Sequence, residues 1–264
     1  VILTVTHVSQ FATPTKIFHS LLITSPRCGL SIEETVTFEE TAMFTALKPT
    51  ESDVIGHLLQ QSGETYSYAE VGATLGELPS GFDADRHRVL LGHGEEVFRA
   101  GCEAIRQWKM FPKAMCELYW PDRGTEVGTT VDVLFRAGPF WSLNPARIVY
   151  AIDEVGDRDS NVDSRAVGRP AVDRFGFAYG TLPDHLECGE ESFSVEWNRD
   201  DDSVWYQLYA VSKAQHTLAW LGYPYIRICQ ARFRRLSGEA MIAATNSLMP
   251  RLKDDSQCYS PLPS

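Results

Sequence analysis

Apolar residues recur every three or four positions between Phe98 and Trp108, at Phe98, Gly101, Ile105 and Trp108. That is the period of a helix with one buried face, and it predicts a helix over 95–108. Glu95 and Glu96 in its first turn suit the positive end of the helix dipole. Gly92-His93-Gly94 turns the chain into this helix from a short strand over 86–91. An earlier helix is predicted where Pro49 or Thr50 can open a turn and Val54, Ile55, Leu58 and Leu59 share a face. Residues 62–85 are rich in Gly, Ser and acids. They read as a loop that lays Tyr66, Tyr68 and Leu78 over the core.

Past Trp108 the pattern shortens toward two. Strands are predicted over 114–120, 129–136, 146–152, 175–179, 192–197 and 203–211. Turn signals separate them: Pro121-Asp122-Arg123-Gly124, Gly138-Pro139, Asn144-Pro145 and the acidic tip 198–202. Residues 157–170, polar and punctuated by Gly and Pro, read as an insertion. From Ala214 the helical period returns. A short piece over 214–221 is expected to break at Gly222 and Pro224. A long helix follows from Tyr225 to about Met249, with Ile228, Phe233, Leu236, Met241, Ile242 and Leu248 as inward candidates.

Successive strands with short turns imply antiparallel pairing, because parallel pairing needs crossover connections. The expected fold is α+β, a helix-grip arrangement: a curved antiparallel sheet of about seven strands around one long C-terminal helix. Such a fold leaves a cavity between sheet and helix, a usual place for a small molecule. One domain is expected over 43–250, with a tail over 251–264. Residues 1–42 show no sustained period and read as an upstream extension, Met43 being the better start.

Composition narrows the function classes. With 44% hydrophobic residues in 264 the chain can build a real core. A net charge of −11 disfavours nucleic acid, which needs a concentrated basic face. Arg227, Arg232, Arg234 and Arg235 form a local exception that reads as a solvated helix face. The 6 cysteines include no C-x-x-C pair, so no metal site is expected. Cys102 and Cys229 fall on helical patterns as small apolar residues, which suits a reducing cytoplasm. No apolar run approaches a membrane span. No cofactor motif stands out: Gly92-x-Gly94 imitates a dinucleotide loop, but Val97 occupies the third glycine position.

Five stretches together look familiar: YAEVGATLGELPSGF, LGHGEEVFRAGCEAIRQW, ARIVYAIDE, RFGFAYGTLPDHLECGEESFSVEW and WYQLYAVSKAQHTLAWLGYPYIRICQARF. They resemble the bacterial and plant family known as domain of unknown function nineteen-ninety, over roughly 66–244. The pattern G-F-A-Y-G-T-L-P-x-H-x-E-x-G-E-E-x-F is long and specific. The resemblance implies a fold similar to START and polyketide-cyclase-like proteins, and no settled activity. Family positions fall on Gly94, Phe98, Trp108, Arg147, Tyr150, Glu154, Gly176, Tyr179, Pro183, His185, Glu187, Glu190, Glu191, Phe193 and Gln230. The chain departs from the pattern at 1–42 and 157–170.

The densest polar set beside an aromatic wall lies between Arg174 and Trp197. His185, Glu187, Glu190 and Glu191 are the candidate acid/base residues, since His titrates near neutrality and burial tunes carboxylates. The plainer account is turn chemistry or pairing with Arg147 or Arg174. Alternation sets Arg147 with Val149 on one face and Ile148, Tyr150 and Ile152 on the other. If Arg147 points inward it needs a partner, and Glu190 or Glu191 is the natural one. The expected function is enclosure of a small hydrophobic or lipid-like molecule, with Trp108, Arg147, Tyr150, Phe177, Tyr179 and His185 as ligand contacts. The wider aromatic lining, from Trp120, Phe135, Phe140, Trp141, Phe193, Trp205 and Tyr209, would share the wall or serve as ordinary core. The alternative is a cyclase, dehydratase or hydrolase using His185 and Glu187. A third reading is an interaction domain with a filled core. Oligomeric state is not legible.

Overall fold

The computed structural model describes residues 44–119, 124–155, 172–214 and 217–257. The expected extension over 1–42, the insertion over 157–170 and Trp120 lie outside them. In chain order the elements are β1 (Phe44–Thr45), α1 (Glu51–Gln61), β2 (Asp83–His93), α2 (Glu95–Arg106), β3 (Cys116–Tyr119) and β4 (Thr130–Ala137). Then come β5 (Phe140–Glu154), β6 (Val172–Thr181), β7 (Glu187–Asn198), β8 (Ser203–Ala214) and α3 (Thr217–Gln257). The sheet runs β2-β8-β7-β6-β5-β4-β3, every pair antiparallel, with two-residue β1 added against β5. This is the seven-stranded curved sheet with a C-terminal helix that the sequence predicts. The short strand β1 was not expected.

Two faces of the sheet do different work. The inner face packs on α2 and α3. Val131, Ile148, Phe177, Phe193, Val195 and Tyr206 join Phe98 and Ile105 of α2 and Met241 of α3 in one core. At Gly101 an added Cβ would stand 3.0 Å from Val195 Cγ1, so glycine lets α2 approach the sheet. The outer face carries α1 and the segment 62–82. Thr50 and Asp53 cap α1 reciprocally, and its Val54 packs on Leu134 of β4 and Leu143 of β5.

The end of α2 places Trp108. Lys109 N–H bonds Ala104 O at 3.0 Å and Trp108 N–H bonds Ile105 O at 2.9 Å. This is a Schellman ending, in which the left-handed position usually holds glycine. Here Trp108 takes it, with φ 55. The strain, about 1–2 kcal/mol, is offset because the indole is buried on Phe177, with ring centroids 4.6 Å apart.

Several expectations need correction. Asn144-Pro145 is not a turn but lies inside β5. Asn144 N–H finds Asp132 Oδ1 at 2.9 Å. Proline lacks an N–H, yet Pro145 O still accepts from Leu182 N–H at 3.0 Å. Helix α3 continues through Gly222 and Pro224, since a proline removes one hydrogen bond from a helix that has many others. On α1, Val54 and Leu58 are buried but Ile55 and Leu59 are exposed, as are Leu78 in the covering segment and Ile228 on α3. The aromatic set is also divided. Phe140 is exposed, Trp141 packs on the outer face, and Trp205 and Tyr209 lie under the guanidinium groups of Arg88 and Arg86.

Candidate functional site

The polar set between Arg174 and Trp197 does not form one turn. β7 begins at Glu187, so Glu187, Glu190 and Glu191 are strand residues, and side chains of a strand alternate between faces. Glu187 and Glu191 share the inner face with Phe193. Glu190 points to the outer face.

On the outer face Glu190 is a fastener. Only 2% exposed, it accepts from Tyr68 Oη–H (2.7 Å), Gly72 N–H (2.8 Å), Thr74 N–H (3.0 Å) and the Thr74 hydroxyl. A buried carboxylate with that many donors is satisfied in place. The Tyr150 hydroxyl meets Thr74 Oγ1 at 2.7 Å. Arg147 donates to Glu64 O (2.8 Å), Ser62 O (2.9 Å), Gln61 O (3.3 Å) and Thr130 Oγ1 (3.2 Å). Its cation thereby closes the carbonyl end of α1, where positive charge is favoured.

Arg147 and Tyr150 were expected on opposite faces, with Arg147 paired to Glu190 or Glu191. A register shift between Ile148 and Tyr150 puts both outside, because a bulge adds one residue to one strand. The partners of Arg147 are backbone carbonyls instead. Neither residue faces the space between sheet and α3.

The inner face carries Phe177, Tyr179, Glu187 and Glu191, Trp108 packs on Phe177, and His185 lies in the turn between β6 and β7. Tyr179 Oη–H donates to Glu191 Oε2 at 2.7 Å. Burial, with Glu187 nearby, pushes the Glu191 carboxyl up to about 7 despite that bond. Glu187 is also pushed up by burial, and it is held by Gln230 Nε2–H of α3 (2.6 Å) and by the Ser212 hydroxyl. His185 Nδ1 lies 3.0 Å from both the amide nitrogen and the carbonyl oxygen of Glu187. Burial brings its pKa down to about 4, so the ring is neutral at pH 7. Phe111 covers this end, stacked on Tyr179 at 6.2 Å and set against Phe193 at 5.5 Å. A carboxyl poised near neutrality beside a phenol can give or take a proton, or bind a guest's polar group. Among the described residues, no three His, Cys, Asp or Glu side chains are placed to hold a metal ion.

A second buried charge cluster escaped the sequence reading. His57 of α1 places Nδ1 2.5 Å from Asp132 Oδ2 and Nε2 3.2 Å from Asp184 Oδ2. Gln61 Nε2–H also donates to Asp184, at 2.9 Å. Burial opposes the charge on His57, but the two carboxylates outweigh it and raise its pKa to about 9. The one local signal was Asp132 at an interior position of the apolar strand TVDVLF, where a carboxylate needs a partner.

The sequence profile of a domain of unknown function, DUF1990, matches residues 67–240. A UPF0548 protein of Dictyostelium discoideum is 33% identical over 221 residues, covering 78% of this chain and 97% of that protein. A UPF0548 protein of Deinococcus radiodurans is 31% identical over 215 residues, covering 76% and 98%. Among solved structures, the Zhui aromatase/cyclase from Streptomyces sp. R1128 is similar with a TM-score of 0.41 at 9% identity, covering 63% of this chain and 95% of that one. Human STARD10 gives 0.38 at 11% identity, covering 82% and 91%. Likeness at this level says nothing of ligand or reaction. No described helix is long and apolar enough to cross a membrane. On the profile match across its middle two thirds and on relatives aligned over nearly their whole length, the chain belongs to the DUF1990 family.

Proposed function

We propose that this protein binds a small, largely apolar molecule between the inner face of its sheet and α3, with the guest's polar group at Tyr179, Glu191 and His185. The carrying observation is Glu191. It is enclosed within the fold yet keeps some accessible surface, and among the described residues its one direct hydrogen-bond donor is Tyr179. A carboxylate has about four acceptor positions, so the rest look for donors. Trp108, Phe177 and Phe193 pack on one another on the same side of the sheet and make its surroundings apolar. The reading suits a reducing cytoplasm, where the buried thiols of Cys102, Cys116 and Cys188 stay reduced. Native mass spectrometry of freshly purified protein, followed by solvent extraction, tests it. A stoichiometric adduct of an apolar compound is expected. Protein that is empty and also fails to take up a fluorescent apolar probe sinks the reading.

A second reading is acid/base catalysis of the cyclase, dehydratase or hydrolase kind. It is favoured by the position of Glu191 near neutrality. Glu187 is fastened to Gln230 and His185 is kept neutral, so Glu191 is a better proton carrier than either expected residue. Turnover lost in Glu191→Gln with binding retained would separate catalysis from carriage.

A further inference from the structure

We propose that the guest of this site carries an amine, seated as a cation against the Glu191 carboxylate and the Tyr179 hydroxyl. The inference rests on the binding reading above and adds the chemical class of the guest.

The charges at this end of the inner space do not balance. Asp85 of β2 is held by Arg227 at 2.5 and 2.9 Å and by Arg234 at 3.0 Å. Glu187 receives the Gln230 amide. Glu191 receives a phenol, and among the described residues it makes no ion pair. Among the described residues, Asp85, Glu187 and Glu191 thus stand against Arg227 and Arg234, one negative charge in excess. A carboxylate guest would enlarge the excess, and an alcohol would leave it. An ammonium group cancels it.

The wall supplies a second, independent reason. Tyr179, Phe193 and Phe111 form a ring triangle with centroids 5.4–6.2 Å apart, and Phe233 of α3 sits 5.7 Å from Phe111. Aromatic faces attract a cation and do nothing comparable for a carboxylate or a hydroxyl. A carboxylate beside clustered rings is therefore chemistry for ammonium recognition, and of these rings Phe233, only partly buried, has the most surface to offer.

Seating also involves a proton. Glu191 is bonded by Tyr179 of β6 and feels the charges of Glu187 of its own strand, Asp85 of β2 and Arg234 of α3. Below about pH 7 its carboxyl carries a proton in the empty protein. An incoming ammonium then displaces that proton to solvent, so the affinity for an amine falls as pH is lowered.

Octylamine, 1-octanol and octanoate, which share a chain and differ in head group, test this by titration calorimetry on the full chain at pH 8 and pH 6. Octylamine is expected to bind at least about tenfold more tightly than octanol at pH 8, with octanoate weakest. The amine advantage is expected to shrink at pH 6 and to vanish in Glu191→Gln. Equal binding of amine and alcohol, or preference for octanoate, overturns the amine while leaving the binding reading intact. Failure of all three to bind overturns both. The wild-type ranking decides even if the variant proves unstable.

Discussion

Tyr179 and Glu191 stand directly opposite each other on β6 and β7, and the phenol donates to the carboxylate across 2.7 Å. Both side chains leave the sheet on the face covered by α3. Their neighbour Glu190, one residue along, leaves on the other face and ties down the segment 62–82. Adjacent glutamates thus serve two unrelated purposes, and the alternation of a strand is what separates them.

Glu191 sets a pH dependence of stability. Its folded pKa, about 7, lies above the ordinary 4.5. The folded state therefore binds the proton more tightly than the unfolded state does. Stability from this group is greatest below pH 4.5 and falls as pH rises toward 7. The loss is on the order of 2–3 kcal/mol. Thermal unfolding from pH 5 to 8 should show the wild type declining relative to Glu191→Gln. Parallel curves would mean that Glu191 titrates as an ordinary carboxyl.

His57 should act in the same sense, over a higher pH range. Its folded pKa of about 9 exceeds the model-peptide 6.5. The stability it brings is complete below pH 6.5 and is lost as pH climbs through 9. His57→Gln leaves the fully buried Asp132 without its cation, at a cost of about 3–5 kcal/mol near pH 7. Denaturant titrations at pH 6, 8 and 10 should find that gap narrowing with pH. A double-mutant cycle with Asp132→Asn should show strong coupling. Additive costs would remove the pair from this role.

Glu190→Ala should loosen the cover over the outer face more than the core. The amides of Gly72 and Thr74 and the hydroxyl of Tyr68 would lose their acceptor. Each buried donor left unmet costs about 1–3 kcal/mol. Limited proteolysis and hydrogen exchange should localise the change to residues 62–82. Protection there equal to the wild type would show that Arg147 and Tyr150 hold the segment without Glu190.

Trp108 gives a reversal of the usual ranking of small residues. At its positive φ a glycine is unstrained and an alanine is not. Both Trp108→Gly and Trp108→Ala should destabilise, by about 3–5 kcal/mol for lost burial. The glycine variant should nonetheless be the more stable by about 1 kcal/mol. Equilibrium unfolding of the two variants measures it, and alanine above glycine would contradict the strained ending of α2.

Much of this was legible before the fold. The spacing of Phe98, Gly101 and Ile105 set α2 and its buried face, because a helix has one period and one apolar stripe. The run of strands with short turns required antiparallel neighbours. The shared family pattern pointed to the hairpin carrying Tyr179, His185 and Glu187. The reading strayed where one residue of register matters. The bulge after Ile148 moved Tyr150 to the face of Arg147, and the early start of β7 turned a supposed polar link into a strand with two sides.

The order of apolar and polar positions, by itself, determined the elements, their antiparallel sequence and the presence of an aromatic interior, since these follow from local period and from the need to bury apolar surface. Tertiary structure alone decided which side chains meet. His57, Asp132 and Asp184 are far apart in the chain and come together only when α1 is laid across β4 beside the β6–β7 turn. Arg227 and Arg234 reach Asp85 only when α3 crosses β2. The physical reason is that charge pairing depends on distances of a few ångströms between elements, and those are set by strand register and helix placement, which no local period encodes.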